Sequence, residues 1–280
     1  MKVGLLLEGG AMRGLYTAGV LDIFLDNNIK IDTIIGVSAG ALFGVNYKSK
    51  QRGRALRYNL KYANDKRYMG MRPLLKTGNI MNKEFCFDTV PNELDIFDYE
   101  RYKNEPEKFY AVVTNVETGK AEYILIDDLK QKMEYLRASG SMPFVSKFVE
   151  INGVKYLDGG TADSIPIEKM LEMDMDKIIV ILTRPIDYRK KKSNEVIPNI
   201  FYSKYPNFVN TINNRYKKYN EQVEKILELE KENKIFVIRP SRLVDIKRVE
   251  KDVKKLQQMY DLGIEDANDS INKLKEYLNK

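Results

Sequence analysis

The 280-residue chain has no histidine, no tryptophan and a single cysteine, Cys86. Without histidine, no imidazole can carry a proton in catalysis or ligate a metal. One cysteine excludes an internal disulfide. Without histidine a zinc site is not expected, and no metal or cofactor is implied, although carboxylate oxygens leave a calcium site open. Long apolar runs are also missing. The opening "MKVGLLLEGG" holds one lysine and a five-residue apolar run before Glu8, shorter than a secretory leader needs. No stretch approaches the roughly 18 apolar residues of a membrane helix. The expectation is a soluble, cytoplasmic protein, peripheral at a membrane at most.

What is present is ordinary globular composition, 43% hydrophobic, enough to build a sizeable core in one large domain or one domain with a helical appendage. The charge is uneven. Residues 1–183 hold 25 Lys and Arg against 25 Asp and Glu, whereas residues 184–280 hold 22 against 15. The whole excess of +7 therefore lies in the last third, as expected for contact with a polyanionic surface or for a solvated lysine-rich face.

Apolar patterning predicts strands at residues 2–7, 31–37, 109–115, 121–126, 177–182 and 234–240. Asn152-Gly153 between two short strand-like runs predicts a hairpin. Helical spacing covers 13–27, resumes at Ala39, and returns in the charged stretches 203–233 and 245–278. Strand and helix alternate through the first half, the order of a mostly parallel central sheet with helices on both faces. The stretch 184–199, "RPIDYRKKKSNEVIPN", reads as a loop or lid. We divide the chain into a catalytic domain, 1–183, and a basic, mainly helical C-terminal region, 184–280, packed on it or extending it.

Two glycine-rich turns carry the chemistry. The first, Gly9-Gly10-Ala11-Met12-Arg13-Gly14, lies between a strand and a helix, where free N–H groups attract anions. As a dinucleotide fingerprint it fails: Ala11 occupies the middle glycine position, and Asp32 opens the second strand rather than closing it. As an oxyanion hole it needs only backbone N–H groups, which Ala11 retains, and Arg13 is placed to orient the loop. The second, Gly36-Val37-Ser38-Ala39-Gly40, is a G-x-S-x-G corner between an apolar strand and a small-residue helix. Such a corner exposes a serine above a sheet, although Ser38 also suits a helix cap. If Ser38 is a nucleophile, its base must be Asp, Glu, Lys, Tyr or Cys. The best placed is Asp158 in "YLDGG", at a strand end with Gly159 and Gly160 after it. By itself, Asp-Gly is equally a turn dipeptide.

"EGGAMRG", "GVSAG" and "YLDGG", in that order, resemble the patatin-like phospholipase family. "ASGSMPFV" at 138–145 is similar to a family segment that precedes the aspartate. The resemblance covers about residues 1–183. It implies a three-layer fold akin to an α/β hydrolase, with a Ser–Asp dyad in place of a triad. Ser38 would be the nucleophile and Asp158 the base, with Gly9, Gly10, Ala11 and Arg13 at the oxyanion hole. Gly14, Gly36, Gly40, Gly159 and Gly160 would support the turns. Ala11 departs from the family's usual glycine. The implied substrate is a phospholipid or other lipid ester. A general soluble esterase and a non-catalytic lipid-binding protein are the alternatives. From the basic stretch Arg189–Lys192 and the nearby aromatics Tyr202, Tyr205 and Phe208, we expect peripheral contact with an anionic membrane through 184–218. Nucleic acid is not an expected partner, and the oligomeric state is open.

Overall fold

A computed structural model describes residues 1–279. Its frame is one eight-stranded sheet. The strands are β1 (Val3–Leu7), β2 (Thr33–Val37), β3 (Lys108–Asn115), β4 (Ala121–Leu125), β5 (Val149–Ile151), β6 (Val154–Asp158), β7 (Lys177–Ile181) and β8 (Phe236–Ile238). The order is β5-β6-β3-β2-β1-β7-β8, with β4 also paired to β3. Strands β8, β7, β1, β2 and β3 run parallel, and β4, β5 and β6 pair antiparallel.

The helices are α1 (Gly14–Asp26), α2 (Ala39–Lys48), α3 (Arg54–Tyr62), α4 (Met71–Thr77), α5 (Tyr99–Asn104), α6 (Leu129–Ser139), α7 (Ile167–Leu171), α8 (Val196–Phe201), α9 (Pro206–Lys231) and α10 (Val253–Asn279). They cover both faces. Side chains alternate along a strand, so Leu5 and Leu7 enter one core with Leu15, Phe24, Phe43 and Leu262 from α1, α2 and α10. Leu6 turns the other way, into a core with Ile167, Val223 and Ile226 from α7 and α9. Every residue of β1 and β2 is buried, as a central parallel strand requires. The expected three-layer α/β architecture is therefore present.

The last third is woven into this frame. Strand β8 extends the sheet beside β7. Helix α10 lies directly on α1, and small residues permit the approach. A Cβ on Gly263 would stand 2.1 Å from the carbonyl oxygen of Tyr16, and one on Gly19 2.3 Å from that of Tyr260. Hydrogen bonds from Tyr16 to Asp266 and from Tyr260 to Asp22 fix the pair.

The structure revises some expected boundaries. The stretch 184–199 already contains the start of α8, and α10 begins at Val253 rather than 245. Pro240 ends the run after β8. Glu250 then accepts hydrogen bonds from the backbone N–H groups of Lys247, Lys251 and Asp252, which hold residues 247–252 as a shaped loop instead of a helix. Asn152 and Gly153 both have positive φ, 52° and 80°, the type I′ turn expected of that dipeptide.

Candidate active site

The meeting of Ser38 and Asp158 follows from the register around β3. Strand β2 runs beside β3 until Val37 faces Val112. Strand β6 then takes over the pairing at Val113, which faces Asp158. Strand β4 pairs the same part of β3 and so must lie on its other edge. The residue that follows β2 and the residue that closes β6 are thus brought together at one point on the sheet. The Ser38 hydroxyl donates to Asp158 Oδ2 at 2.6 Å.

Both residues are held from behind. Ser38 has φ 52° and ψ −119°, a strained conformation for a residue with a Cβ. Its N–H donates to Ser139 Oγ at 2.9 Å. It caps helix α2 in position only, because its side chain makes no capping bond. A Cβ on Gly40 would lie 2.5 Å from the carbonyl oxygen of Leu7, and one on Gly36 2.6 Å from Ala41 Cα. The glycine spacing of the corner is therefore steric necessity. Asp158 Oδ1 accepts the N–H of Gly160 at 2.8 Å, and its own N–H donates to the carbonyl of Ser141. Gly159 packs so tightly on β3 that a Cβ would meet the Val112 carbonyl oxygen at 2.1 Å. The segment 138–145 thus braces both residues, through Ser139 and Ser141.

Burial pushes the Asp158 carboxyl above its ordinary pKa. The Ser38 hydrogen bond, the charge of Arg215, the Gly160 N–H and the charge of Lys190 pull it back in part. A carboxylate that is desolvated yet aimed at a hydroxyl is a stronger base than one in water.

The first glycine turn lies beside this pair. A Cβ on Gly9 would come within 3.0 Å of Ser38 Cβ, and one on Gly14 within 2.7 Å of Ala39 Cβ. The N–H groups of Gly9, Gly10 and Ala11 donate to no other group among the described residues. They are free for a ligand oxygen. Ala11 sits at φ 49°, the left-handed region that glycine occupies without strain. Arg13 differs from expectation. Among the described residues it forms no ion pair, its Nε is buried without a partner, and it lines the cleft above Ser38 instead of bonding the loop. The loop is fixed by Glu8, which accepts from the N–H and hydroxyl of Thr183 and from Tyr219.

Ser38 borders two cavities. One, of about 100 Å³, is apolar, lined by Met12, Leu42, Phe43, Val90, Met133 and Leu136 among others. The other, of about 290 Å³, is polar and carries Arg13, Arg184, Lys190, Arg215 and Arg248. Sequence reasoning missed Glu8, Arg215, Tyr219 and Arg248, because only the tertiary fold brings residues so distant in the chain to Ser38.

The basic stretch is arranged otherwise than expected. Arg189 pairs with Glu224 and Lys192 with Glu195. Lys190 turns inward over the Tyr219 ring. Tyr202 and Phe208 are buried in a core of their own and offer nothing to a bilayer. The exposed apolar side chains of this region are Ile186, Val196, Ile197, Ile200 and Phe201. No described helix is long and apolar enough to cross a membrane.

A strained serine on a strand-to-helix corner, hydrogen-bonded to a buried carboxylate beside free N–H groups, is the arrangement of a serine hydrolase elbow. The comparisons with known proteins give the family. The family model for patatin-like phospholipase matches residues 5–171, more than half of the chain, and the protein belongs to that family. A domain of unknown function, DUF6363, matches residues 205–279. The uncharacterized protein YjjU of Escherichia coli K12 is 28% identical over 189 residues, covering 66% of this chain and 52% of its own length. Lysophospholipase nte1 of Aspergillus niger is 27% identical over 197 residues, 66% of this chain and 12% of that protein. Lysophospholipase NTE1 of Scheffersomyces stipitis is 23% identical over 253 residues, 85% of this chain and 16% of that protein. The chain thus spans about half of YjjU and a small part of the fungal relatives.

Proposed function

We propose that the protein is a serine acyl hydrolase of lipid esters working through a Ser38–Asp158 dyad. The observation that carries this is the 2.6 Å hydrogen bond from the Ser38 hydroxyl to Asp158, placed at the mouth of an apolar cavity. Ser38 Oγ attacks the ester carbonyl while Asp158 takes its proton. The N–H groups of Gly9, Gly10 and Ala11 hold the oxyanion. Asp158 returns the proton to the leaving alcohol, and an acyl-enzyme remains on Ser38. Asp158 then takes a proton from water as the water attacks the acyl carbon. That proton passes to Ser38 Oγ as the fatty acid leaves. The apolar cavity favours a fatty acyl group over a small polar one.

Residues 184–280 act as an extension of the catalytic domain. Peripheral membrane contact through this region rests on the exposed face of α8, where Ile200 and Phe201 are 70% and 62% exposed. Apolar side chains of this kind enter a bilayer interface.

A fluorophosphonate probe, followed by mass mapping, tests the mechanism. Label on Ser38, abolished in Ser38→Ala and sharply reduced in Asp158→Asn, is expected. Label on another serine, or none on active protein, overturns the dyad.

A further inference from the structure

The polar cleft at Ser38 carries more positive charge than the carboxylates among the described residues around it balance. The sequence contains 14 arginines. Nine of them, Arg52, Arg54, Arg57, Arg67, Arg101, Arg137, Arg189, Arg239 and Arg242, pair with a carboxylate. Among the described residues Arg13, Arg72, Arg184, Arg215 and Arg248 make no such pair, and all of these except Arg72 line this one cleft. Lys190 and Lys191 join them. Against these six cations stand two carboxylates, Glu8 and Asp158, both already engaged. Glu8 accepts from Thr183 and Tyr219, and Asp158 accepts from Ser38 and Gly160.

Half-buried guanidinium groups are costly without an anion. Independent observations point to a missing acceptor. The Nε of Arg13 is buried with no partner. Arg215 makes only a long contact with Ser164 Oγ, at 3.4 Å. Lys190 and Arg184 rest on the Tyr219 and Tyr188 rings at 4.2 Å, which neutralises neither. Burial and the neighbouring cations depress Arg13 to about 10 and Lys190 to about 7, as expected of a site that holds unbalanced positive potential.

We infer that this cleft is a head-group subsite for a phosphate-bearing acyl ester of net negative charge. The inference rests on the hydrolase reading above and adds the substrate class to it. With the acyl chain in the apolar cavity and the ester carbonyl at Ser38, the rest of the substrate must leave through the cationic side. Planar guanidinium groups suit phosphate oxygens. A head group that also carries a quaternary ammonium would bring a cation into this cluster and be disfavoured. Glycerophospholipids without a head-group cation, lysophosphatidic acid being the simplest, are the substrates it selects.

The test has a binding arm and a kinetic arm, both on the full chain. Hexyl phosphate is titrated calorimetrically against hexanol. The phosphate should bind at least tenfold more tightly, and the advantage should fall by roughly tenfold in Arg248→Gln, consistent with the loss of a charged hydrogen bond. Arg248 is exposed, so its replacement leaves the core intact. Arg215→Lys, which keeps the charge, should retain more of the advantage than Arg215→Gln. In the kinetic arm, the ratio of kcat/KM for lysophosphatidic acid over lysophosphatidylcholine should exceed ten and drop toward one in Arg248→Gln. Equal binding of hexyl phosphate and hexanol, or a phosphate affinity unmoved by both glutamine variants, overturns the subsite. Phosphate binding that depends on these arginines, without turnover of either lipid, keeps the subsite and removes the hydrolase reading. Equal turnover of the two lipids removes the head-group preference while leaving the hydrolase in place.

Discussion

The two cavities that meet at Ser38 come from different parts of the chain. The apolar one is built almost wholly before residue 143, with only Arg248 and Val249 added from the last third. The cationic one draws Arg184, Lys190, Lys191, Arg215 and Arg248 from after residue 183. Ser38, Asp158 and the free N–H groups beside them belong to the charge-balanced segment, and most cations that face them belong to the segment with the +7 excess. On the proposed reading, bond-making and substrate choice are separated along the sequence yet share one serine. Part of the basic excess that suggested a polyanion surface is directed inward, to a single small site.

The sharpest way to test this separation is to remove the proposed reacting pair alone. Ser38→Ala should lower ester turnover by on the order of 10⁴-fold or more, as loss of a nucleophile does in serine proteases, while calorimetric affinity for hexyl phosphate stays measurable. Asp158→Asn should be similarly inactive and should hold or raise Tm. The sign follows from burial. The folded-state pKa of this carboxyl lies above its ordinary value, so ionisation costs stability that is present at low pH and lost as pH rises through that pKa. A neutral amide removes the cost. A fall in Tm for Asp158→Asn would mean that the carboxylate holds the site together.

A smaller effect is expected at the glycine turn. A side chain on Gly10 would collide with Thr183, whose Oγ1 would stand 2.7 Å from the new Cβ. Gly10→Val should therefore cost about 10²–10³ in kcat, the loss typical of one oxyanion donor, with fluorophosphonate still reaching Ser38. Ala11→Gly should be close to neutral. Relief of the strained φ of 49° is offset by the greater freedom of glycine in the unfolded chain. Full activity in Gly10→Val would move the oxyanion site elsewhere.

The geometry around Ser38 was largely legible in the sequence because short-range sterics write it. Gly36 and Gly40 must be glycine for the corner to pass under β1 and α2, and Gly159 must be glycine to lie on Val112. Such constraints act within a few residues and leave fixed spacings. The approach of Ser38 to Asp158 was suggested by the family resemblance. Its physical cause, the change of β3's partner from β2 to β6 between Val112 and Val113, is long-range and leaves no local pattern. The cationic cleft was illegible for the same reason. Arg184, Arg215 and Arg248 each look like an ordinary surface charge in sequence, and Arg13 was expected to orient the glycine turn rather than to join a cationic cleft. The visible cluster, Arg189–Lys192, is split by the fold: Arg189 and Lys192 pair on the surface with Glu224 and Glu195, while Lys190 and Lys191 line the cleft. Tyr202 and Phe208 misled because an aromatic near basic residues reads alike whether it faces lipid or a core.

The smallest expected effect joins the two halves through one charge. Arg215, on α9, is the stronger of the two cationic influences on Asp158, ahead of Lys190, and favours its ionised form. Asp158 is the carboxyl aimed at Ser38, and its protonation removes the proposed base, so activity should fall toward low pH as it titrates. Its burial places the acid limb of kcat/KM above the ordinary carboxylate range, and Arg215 limits that rise. Arg215→Gln removes a charge that stabilises the carboxylate, so the acid limb should move to higher pH. Arg215→Lys should leave it near the wild-type position. An uncharged acyl ester is the substrate for this measurement, because head-group binding then cannot contribute to the profile. An acid limb unmoved by Arg215→Gln would mean that solvent screens the pair. The C-terminal region would then tune binding alone and leave the basicity of the dyad to its own half of the chain.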